Sequence, residues 1–317
     1  MPDSQVWLVT GCSSGIGKDI VLAALAAGHK VVATARNVSA LKDVEVKGAH
    51  VLHLDVTAPS SELSKTVDQA LGVCGHIDVL VNNAGQIMFG TIEETSEEDV
   101  DRLFKVNSFG AINLIRLILP HMRNRKSGTI INVGSGAGTT GHAAIASYVG
   151  TKFALNGKSS RRPIQFTQLH LRFAGYTESL NSEVRHLGIR AMYLEVGDFR
   201  TGILDPVRAN SPAAIKAYPA PQKVKMLRAS GSIPEYYGSG TAATSVESWF
   251  AAKTGKQSGD PKKAAEVIVR VASGGDERGV PQRLALGADV VADARKKIQY
   301  LLENLETWEE VSSSTDF

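Results

Sequence analysis

Tyr148 stands four residues before Lys152, in Ser147-Tyr148-Val149-Gly150-Thr151-Lys152, and Ser135 stands thirteen before the tyrosine. A free phenol, with a pKa near 10, is a poor base at neutral pH. An ammonium one helical turn away lies on the same face and favours the phenolate. A serine hydroxyl beside the pair can hydrogen-bond an oxygen on which charge develops. These three residue types suit proton transfer at a carbonyl or alcohol oxygen. A second set lies near the N-terminus, in Thr10-Gly11-Cys12-Ser13-Ser14-Gly15-Ile16-Gly17. Glycines there let the backbone turn tightly and approach a pyrophosphate, whose charge meets the start of a helix. A Tyr-x-x-x-Lys alone is a weak signal; following such a turn it becomes specific.

Both sets need elements to hold them. Val6–Val9 is a short apolar run that leads into the glycines, and Ile16–Ala27 then has helical spacing with Gly28 as its stop. Further strand-like runs are Val31–Thr34, Val51–Leu54, Ile77–Val81, Thr129–Val133, Ile189–Glu195 and Arg283–Leu286, the last followed by a charged helix from about Asp289 to Glu310. Continuous Val/Ile/Leu runs separated by helices predict a parallel sheet covered on both faces. The expected fold is α/β, a doubly wound (Rossmann) parallel seven-stranded sheet in a single domain over residues 1–317. Its ligand belongs at the carboxyl ends of the strands. Residues 203–260 are rich in Pro, Gly, Ser and Ala and read as a variable substrate-binding flap. Tyr218, Met226, Tyr236, Tyr237, Trp249 and Phe250 there suit an apolar pocket or simple packing.

Composition excludes several other classes. The 317 residues are 43% hydrophobic and 21% charged, which is ordinary for a globular chain. Mean hydropathy is −0.06, and no apolar run reaches the roughly 18 residues of a membrane span. A net charge of +3 is too small to argue for nucleic acid. Cys12 and Cys74 form no disulfide framework, and the N-terminus has no signal-peptide core, so a cytoplasmic setting is expected. No His/Cys cluster has metal-ligand spacing.

The residue after the second strand bears on the cofactor. An acid there would bond the 2′-hydroxyl of NAD; here Ala33-Thr34-Ala35-Arg36 ends on a cation, which suits the 2′-phosphate of NADP. Arg36 otherwise is a solvated or adenine-stacking side chain. Asp55-Val56 ends the third strand, where the carboxylate either accepts from an adenine amino group or caps the turn with Thr57. Cys12 reads as a small buried filler, and His142 as solvated or touching substrate. Glu93, Glu94, Glu97, Glu98 and Asp99 read as a solvated helix start.

The chain resembles the short-chain dehydrogenase/reductase family. The glycine pattern, Asn82-Asn83-Ala84-Gly85 after the fourth strand, Asn107, Ser135 and Tyr148/Lys152 follow the family's order and spacing over residues 5–157, and 175–202 match again. In Ala33-Thr34-Ala35-Arg36 and the tail Trp308-Glu309-Glu310 it looks most like retinol- and hydroxysteroid-dehydrogenase-like oxidoreductases from fungi. The resemblance implies that Tyr148 is the acid/base, Lys152 its tuner and a holder of the nicotinamide ribose, and Ser135 the clamp on the substrate oxygen. Asn107 is implied to hold a water in the proton relay, or is an ordinary helix-kinking residue. Asn82 is implied to stabilise the central sheet, with Asn83, Ala84 and Gly85 lining the cofactor cleft. Val196-Gly197 stands where the family has Pro-Gly, and Thr201 where it contacts the carboxamide. With Thr10, Gly11, Ser13, Ser14, Gly15, Ile16, Gly17, Arg36, Asp55 and Val56, these make the expected cofactor set. Loss of the proline puts the rigidity of that turn in question. Relatives form homodimers or homotetramers.

One segment departs from the resemblance. Lys152-Phe153-Ala154-Leu155-Asn156-Gly157 begins the family's helix and Tyr176-Thr177-Glu178-Ser179-Leu180 continues it, but Lys158 to Gly175 intervenes, with Pro163 in its interior. Proline inside a helix costs about 3 kcal/mol. Gly157-Lys158-Ser159 is codable as GGT-AAG-TCN, containing a splice donor, and Ala174-Gly175 as GCA-GGN, containing an acceptor; both cut a glycine codon after its first base. The reading is a retained intron, against a true surface insertion. The segment holds Lys158, Arg161, Arg162 and Arg172 and no acid, so its removal takes the net charge from +3 to −1. The whole chain is thus expected to be an NADP-dependent oxidoreductase for a small hydrophobic carbonyl or alcohol substrate, or a non-catalytic NADP(H)-binding protein impaired by the segment.

Overall fold

The central apolar runs become strands because they are covered on both sides. In this computed structural model, which describes residues 4–155, 175–204 and 227–315, the strands are β1 (Val6–Val9), β2 (Lys30–Ala35), β3 (His50–His53), β4 (Val79–Asn82), β5 (Met88–Phe89), β6 (Gly128–Val133), β7 (Ile189–Val196), β8 (Leu227–Arg228) and β9 (Arg283–Leu286). Seven of them form one parallel sheet in the order β3-β2-β1-β4-β6-β7-β9. The helices are α1 (Gly15–Ala26), α2 (Lys42–Glu45), α3 (Ser60–Cys74), α4 (Glu97–Phe104), α5 (Gly110–Arg125), α6 (Ala146–Leu155), α7 (Tyr176–Val184), α8 (Ala242–Lys253), α9 (Pro261–Ala272) and α10 (Ala288–Ser313).

Alternation along each strand divides the core. Trp7, Val9, Val31, Ala33, Val79 and Val81 face α1 and α9, while Val6, Leu8, Val32 and Leu80 face α3 and α5. Leu8 is 1% exposed, and truncation to alanine at such a site costs about 2–5 kcal/mol. The chain runs outward from β1 in one direction and from β4 in the other. Strand order therefore reverses between β1 and β4, which opens a crevice at their carboxyl ends. Asn82 stitches the sheet beneath that crevice: its Nδ2 donates to Asn132 Oδ1 at 2.9 Å, and Asn132 Nδ2 donates to Thr177 Oγ1 at 2.9 Å.

One expectation needs correction. Glu94 and Asp99 are not solvated, being 3% and 5% exposed. Glu94 accepts from Thr91 N, Ile233 N and Tyr237 Oη at 2.8, 2.9 and 2.8 Å, and Asp99 accepts from Ser230 N at 2.8 Å. They anchor the segment after β8 to the start of α4. Burial works to raise both carboxyl pKa values, but the hydrogen bonds from Thr91, Ile233, Tyr237 and Ser230 outweigh it and hold both below the ordinary range. The described part of the flap is structured. β8 pairs in parallel with β5, and Phe250 and Tyr237 pack against Phe89 with ring centroids 6.1 and 6.4 Å away. These two aromatics are packing residues. Tyr218 and Met226 lie outside the described residues, as does the segment from Lys158 to Ala174.

The helix Glu97–Arg125, formed by α4, α5 and the turn between them, is long and apolar enough to cross a membrane by length and composition. Leu103, Leu114, Ile115, Ile118 and Met122 on it are fully buried in the fold.

Candidate active site

The glycine-rich turn is shaped by its glycines and locked by its threonine. Gly11 and Gly15 have φ of +70° and +60°, conformations that disfavour side chains with a Cβ. A Cβ on Gly11 would lie 2.9 Å from Ala84 Cα, and one on Gly17 2.2 Å from Asn83 Nδ2. Thr10 Oγ1 accepts from the backbone N–H of Asn83 and of Ala84, both at 3.0 Å, and Asn83 Nδ2 donates to Thr10 O at 2.9 Å. The turn after β1 and the loop after β4 are thereby one unit. Cys12 is buried within it, and burial pushes its thiol up to about 12, the behaviour of an inert filler.

A cleft runs from this turn across the carboxyl edge of the sheet. Gly11, Ser13, Ser14, Gly15, Ile16, Arg36, Asp55, Val56, Asn83, Ala84, Gly85, Tyr148, Lys152, Val196 and Thr201 line it. Thr10, Gly17, Asn107, Ser135 and Gly197 are not in this lining; they stand behind it. Gln86, Val106, Gly134, Gly202 and Ile203 line it without having been expected. They carry no motif of their own and reach the cleft through their neighbours. Asp55 Oδ1 accepts from Thr57 N at 2.9 Å and from Thr57 Oγ1 at 2.7 Å, so it caps its turn while facing the cleft. The Val196-Gly197 turn is held without its proline. Asp289 Oδ2 at the start of α10 accepts from Asp198 N at 2.6 Å, and Gly197 N donates to Leu286 O at 2.9 Å.

At the inner end of the cleft, α6 presents Tyr148 and Lys152, each 5% exposed. Lys152 Nζ donates to Val133 O at 2.9 Å and lies 5.8 Å from the Tyr148 ring centroid. Burial lowers the Lys152 pKa to about 8. Burial also raises that of Tyr148, against an opposing hydrogen bond from Ser135. Burial dominates and keeps the phenol protonated; the only opposing influence comes from Ser135, so the lowering expected from the ammonium is not seen. Ser135 follows β6 in extended backbone, and its Oγ accepts from Ala137 N at 3.2 Å.

Asn107 sits in a π-helical turn, Lys105–Phe109, between α4 and α5, an irregularity common at functional sites. Its Nδ2 donates to Gln86 O at 2.8 Å and to Thr151 Oγ1 at 3.0 Å, and its Oδ1 accepts from Gln86 N at 2.8 Å. Both amide hydrogens are thus used, and Asn107 ties the loop after β4 to α6. Thr151 completes the tie by donating to Tyr148 O at 2.7 Å.

A doubly wound sheet with a glycine turn at its switch point, and Tyr148 and Lys152 in the cleft with Ser135 hydrogen-bonded behind Tyr148, defines a nucleotide-binding oxidoreductase fold. The family model for short chain dehydrogenases matches residues 5–162. The chain is 30% identical over 320 residues to oxidoreductase calM of Penicillium decumbens, covering 97% of this chain and 91% of that one. It is 30% identical over 284 residues to the oxidoreductase YusZ of Bacillus subtilis, covering 86% and 85%. A short-chain dehydrogenase from Streptomyces avermitilis superposes with a TM-score of 0.77 at 32% identity, covering 99% of each chain. Family members from Burkholderia phymatum, solved with NAD, and from a metagenome, solved with NADP, share the fold with TM-scores of 0.68 and 0.59 at 21% and 24% identity; they cover 94% and 89% of this chain, and 95% and 96% of their own. The chain belongs to the short-chain dehydrogenase/reductase family of oxidoreductases.

Proposed function

We propose that the protein is an NADP-dependent oxidoreductase that interconverts a hydrophobic ketone or aldehyde with its alcohol. The observation that carries this reading is that Tyr148 and Lys152 line the same cleft as the glycine turn, with Ser135 behind them hydrogen-bonded to the Tyr148 side chain. The residues fit the dinucleotide: the turn offers backbone close to the cleft where Gly11 and Gly15 lack side chains, and the helix start at Ser14–Gly15 offers unpaired N–H groups to phosphate. Arg36 stands exposed at the cleft's lip after β2, where a cation suits a 2′-phosphate. Asp55 would face the adenine, Lys152 the ribose and Thr201 the carboxamide. When bound, the nicotinamide supplies or accepts the hydride.

The chain's own residues manage the proton. Ser135 holds the substrate oxygen by hydrogen bonding, and Tyr148, protonated in its buried setting, donates to that oxygen in the reducing direction. Lys152, on the same helical face, supplies the positive charge that stabilises the resulting phenolate.

The test is a panel of apolar ketones, aldehydes and alcohols with NADPH, NADH and their oxidised forms. NADPH-linked turnover is expected, and Arg36→Glu is expected to raise KM for NADPH about 10- to 100-fold, the scale of one or two lost charge-assisted bonds, with little change for NADH. No turnover with any pair contradicts the reading. A second reading, a non-catalytic dinucleotide-binding protein, rests on the departure at Lys158, six residues after Lys152.

A further inference from the structure

Tyr193 lies in the middle of β7 and is 1% exposed. Its hydroxyl reaches three backbone groups that belong to the catalytic cluster. It accepts from Ser135 N at 3.2 Å and lies 3.4 Å from both Ser135 O and Lys152 O. One phenol therefore joins the turn carrying Ser135 to the helix carrying Tyr148 and Lys152. Neither Asn107 nor Thr151 makes this connection, since both tie α6 to the loop after β4 instead.

The surroundings are cut to fit this ring. A Cβ on Gly134 would lie 2.0 Å from Tyr193 Cζ, and one on Gly138 2.1 Å from its hydroxyl oxygen. Both glycines have ordinary negative backbone angles, so the space they leave is the only requirement visible there. Behind the ring, Arg283 stacks with its guanidinium carbon 5.7 Å from the centroid. Arg283 Nε donates to Glu195 Oε2 at 2.8 Å, and Thr139 Oγ1 donates to Glu195 Oε1 at 2.6 Å. The turn from Ser135 to Thr139 is thus gripped at both ends, by Tyr193 at its start and by Glu195 at its finish. Burial, the largest influence, pushes the Tyr193 hydroxyl well above the ordinary phenol range, so it stays neutral and keeps its proton at working pH.

We propose that Tyr193 is a positioning residue that sets the separation between the Ser135 hydroxyl and the Tyr148/Lys152 pair. It touches neither substrate nor cofactor; it acts through the backbone of Ser135 and Lys152. This inference rests on the reading of Tyr148 as acid/base. Misplacement of a reacting group by about 1 Å can cost on the order of 100-fold in rate, so a small relaxation of this link should appear in turnover before it appears in stability.

Tyr193→Phe removes the hydroxyl and keeps the ring in its notch. With whichever ketone of the panel gives the fastest NADPH consumption, kcat is expected to fall about tenfold or more, with the NADPH dissociation constant, read by fluorescence titration, within about twofold of the parent. Its pH–rate profile is expected to shift, because the Ser135 hydrogen bond that opposes the rise of the Tyr148 pKa is weakened. Gly138→Ala supplies an independent test: its Cβ displaces the hydroxyl, so it should be deleterious in the parent and nearly neutral when added to Tyr193→Phe. An unchanged kcat and pH profile in Tyr193→Phe, with Tyr148→Phe inactive, overturns this proposal alone. Additive effects of Gly138→Ala and Tyr193→Phe overturn it as well. Full activity in Tyr148→Phe, or no turnover with any ketone, removes the acid/base reading and this inference with it.

Discussion

At the scale of residues, the cluster works by burial as much as by charge. Lys152 is held to a pKa of about 8 because it is enclosed, with the Val133 carbonyl as its fixed acceptor. It is a cation below that pH and neutral above it. Its support for the Tyr148 phenolate is therefore present at neutral pH and is lost as pH rises through about 8. In the reducing direction, kcat is expected to decline above about pH 8, and Lys152→Arg, which cannot be deprotonated, should move or remove that limb. A flat profile from pH 6 to 10 in the parent contradicts this. The motif residues were legible from sequence because their types and spacing are fixed by local helix and turn geometry. What each touches was less so: the partners of Asn107 come from Gln86 and Thr151, and those of Tyr193 from Ser135 and Lys152, all remote in the chain.

At the scale of elements, β1 was read to the residue, since a continuous apolar run buried on both faces has sharp ends, and the half-buried edge strand β9 also falls where the sequence places it. The paired two-residue strands β5 and β8 escaped, because two residues have no periodicity. Glu94 and Asp99 were misread for a related reason: acids at a helix start usually meet water, and the amides that bury them come from Ser230 and Ile233. Their lowered pKa values give a sign. A carboxyl held below its unfolded value adds stability above that value and loses it as pH falls through its folded one. The anchored segment is therefore expected to loosen below about pH 4, the unfolded range of Asp and Glu. Glu94→Ala should remove about 1–3 kcal/mol at neutral pH and much less under acid. Thermal melts at pH 7 and pH 3.5 check this; equal losses at both would contradict it.

At the scale of the whole molecule, the segment Lys158–Gly175 divides what the family treats as one helix. Thr177 Oγ1 donates to Leu155 O, and Thr177 is fully buried against Asn132 in the sheet. Counted without the eighteen residues from 158 to 175, Thr177 follows Leu155 by four positions, the spacing of one helical turn. The family-model match also stops at residue 162, inside the segment. A chain lacking 158–175 is expected to fold with α6 and α7 joined, to melt at a higher temperature and to turn over faster. Identical melting and turnover in both forms refute this, and a mature message that retains these codons in most reads refutes the intron origin.

The central claim is that Tyr148 moves the proton in a nicotinamide-linked reaction, and its most direct test is Tyr148→Phe. The change removes one oxygen from a ring that is already buried. NADPH consumption with the best ketone should fall by about 10²- to 10⁴-fold, the usual range for losing a general acid, while NADPH binding by fluorescence titration stays near the parent value. Turnover in Tyr148→Phe equal to the parent, with binding intact, contradicts the account.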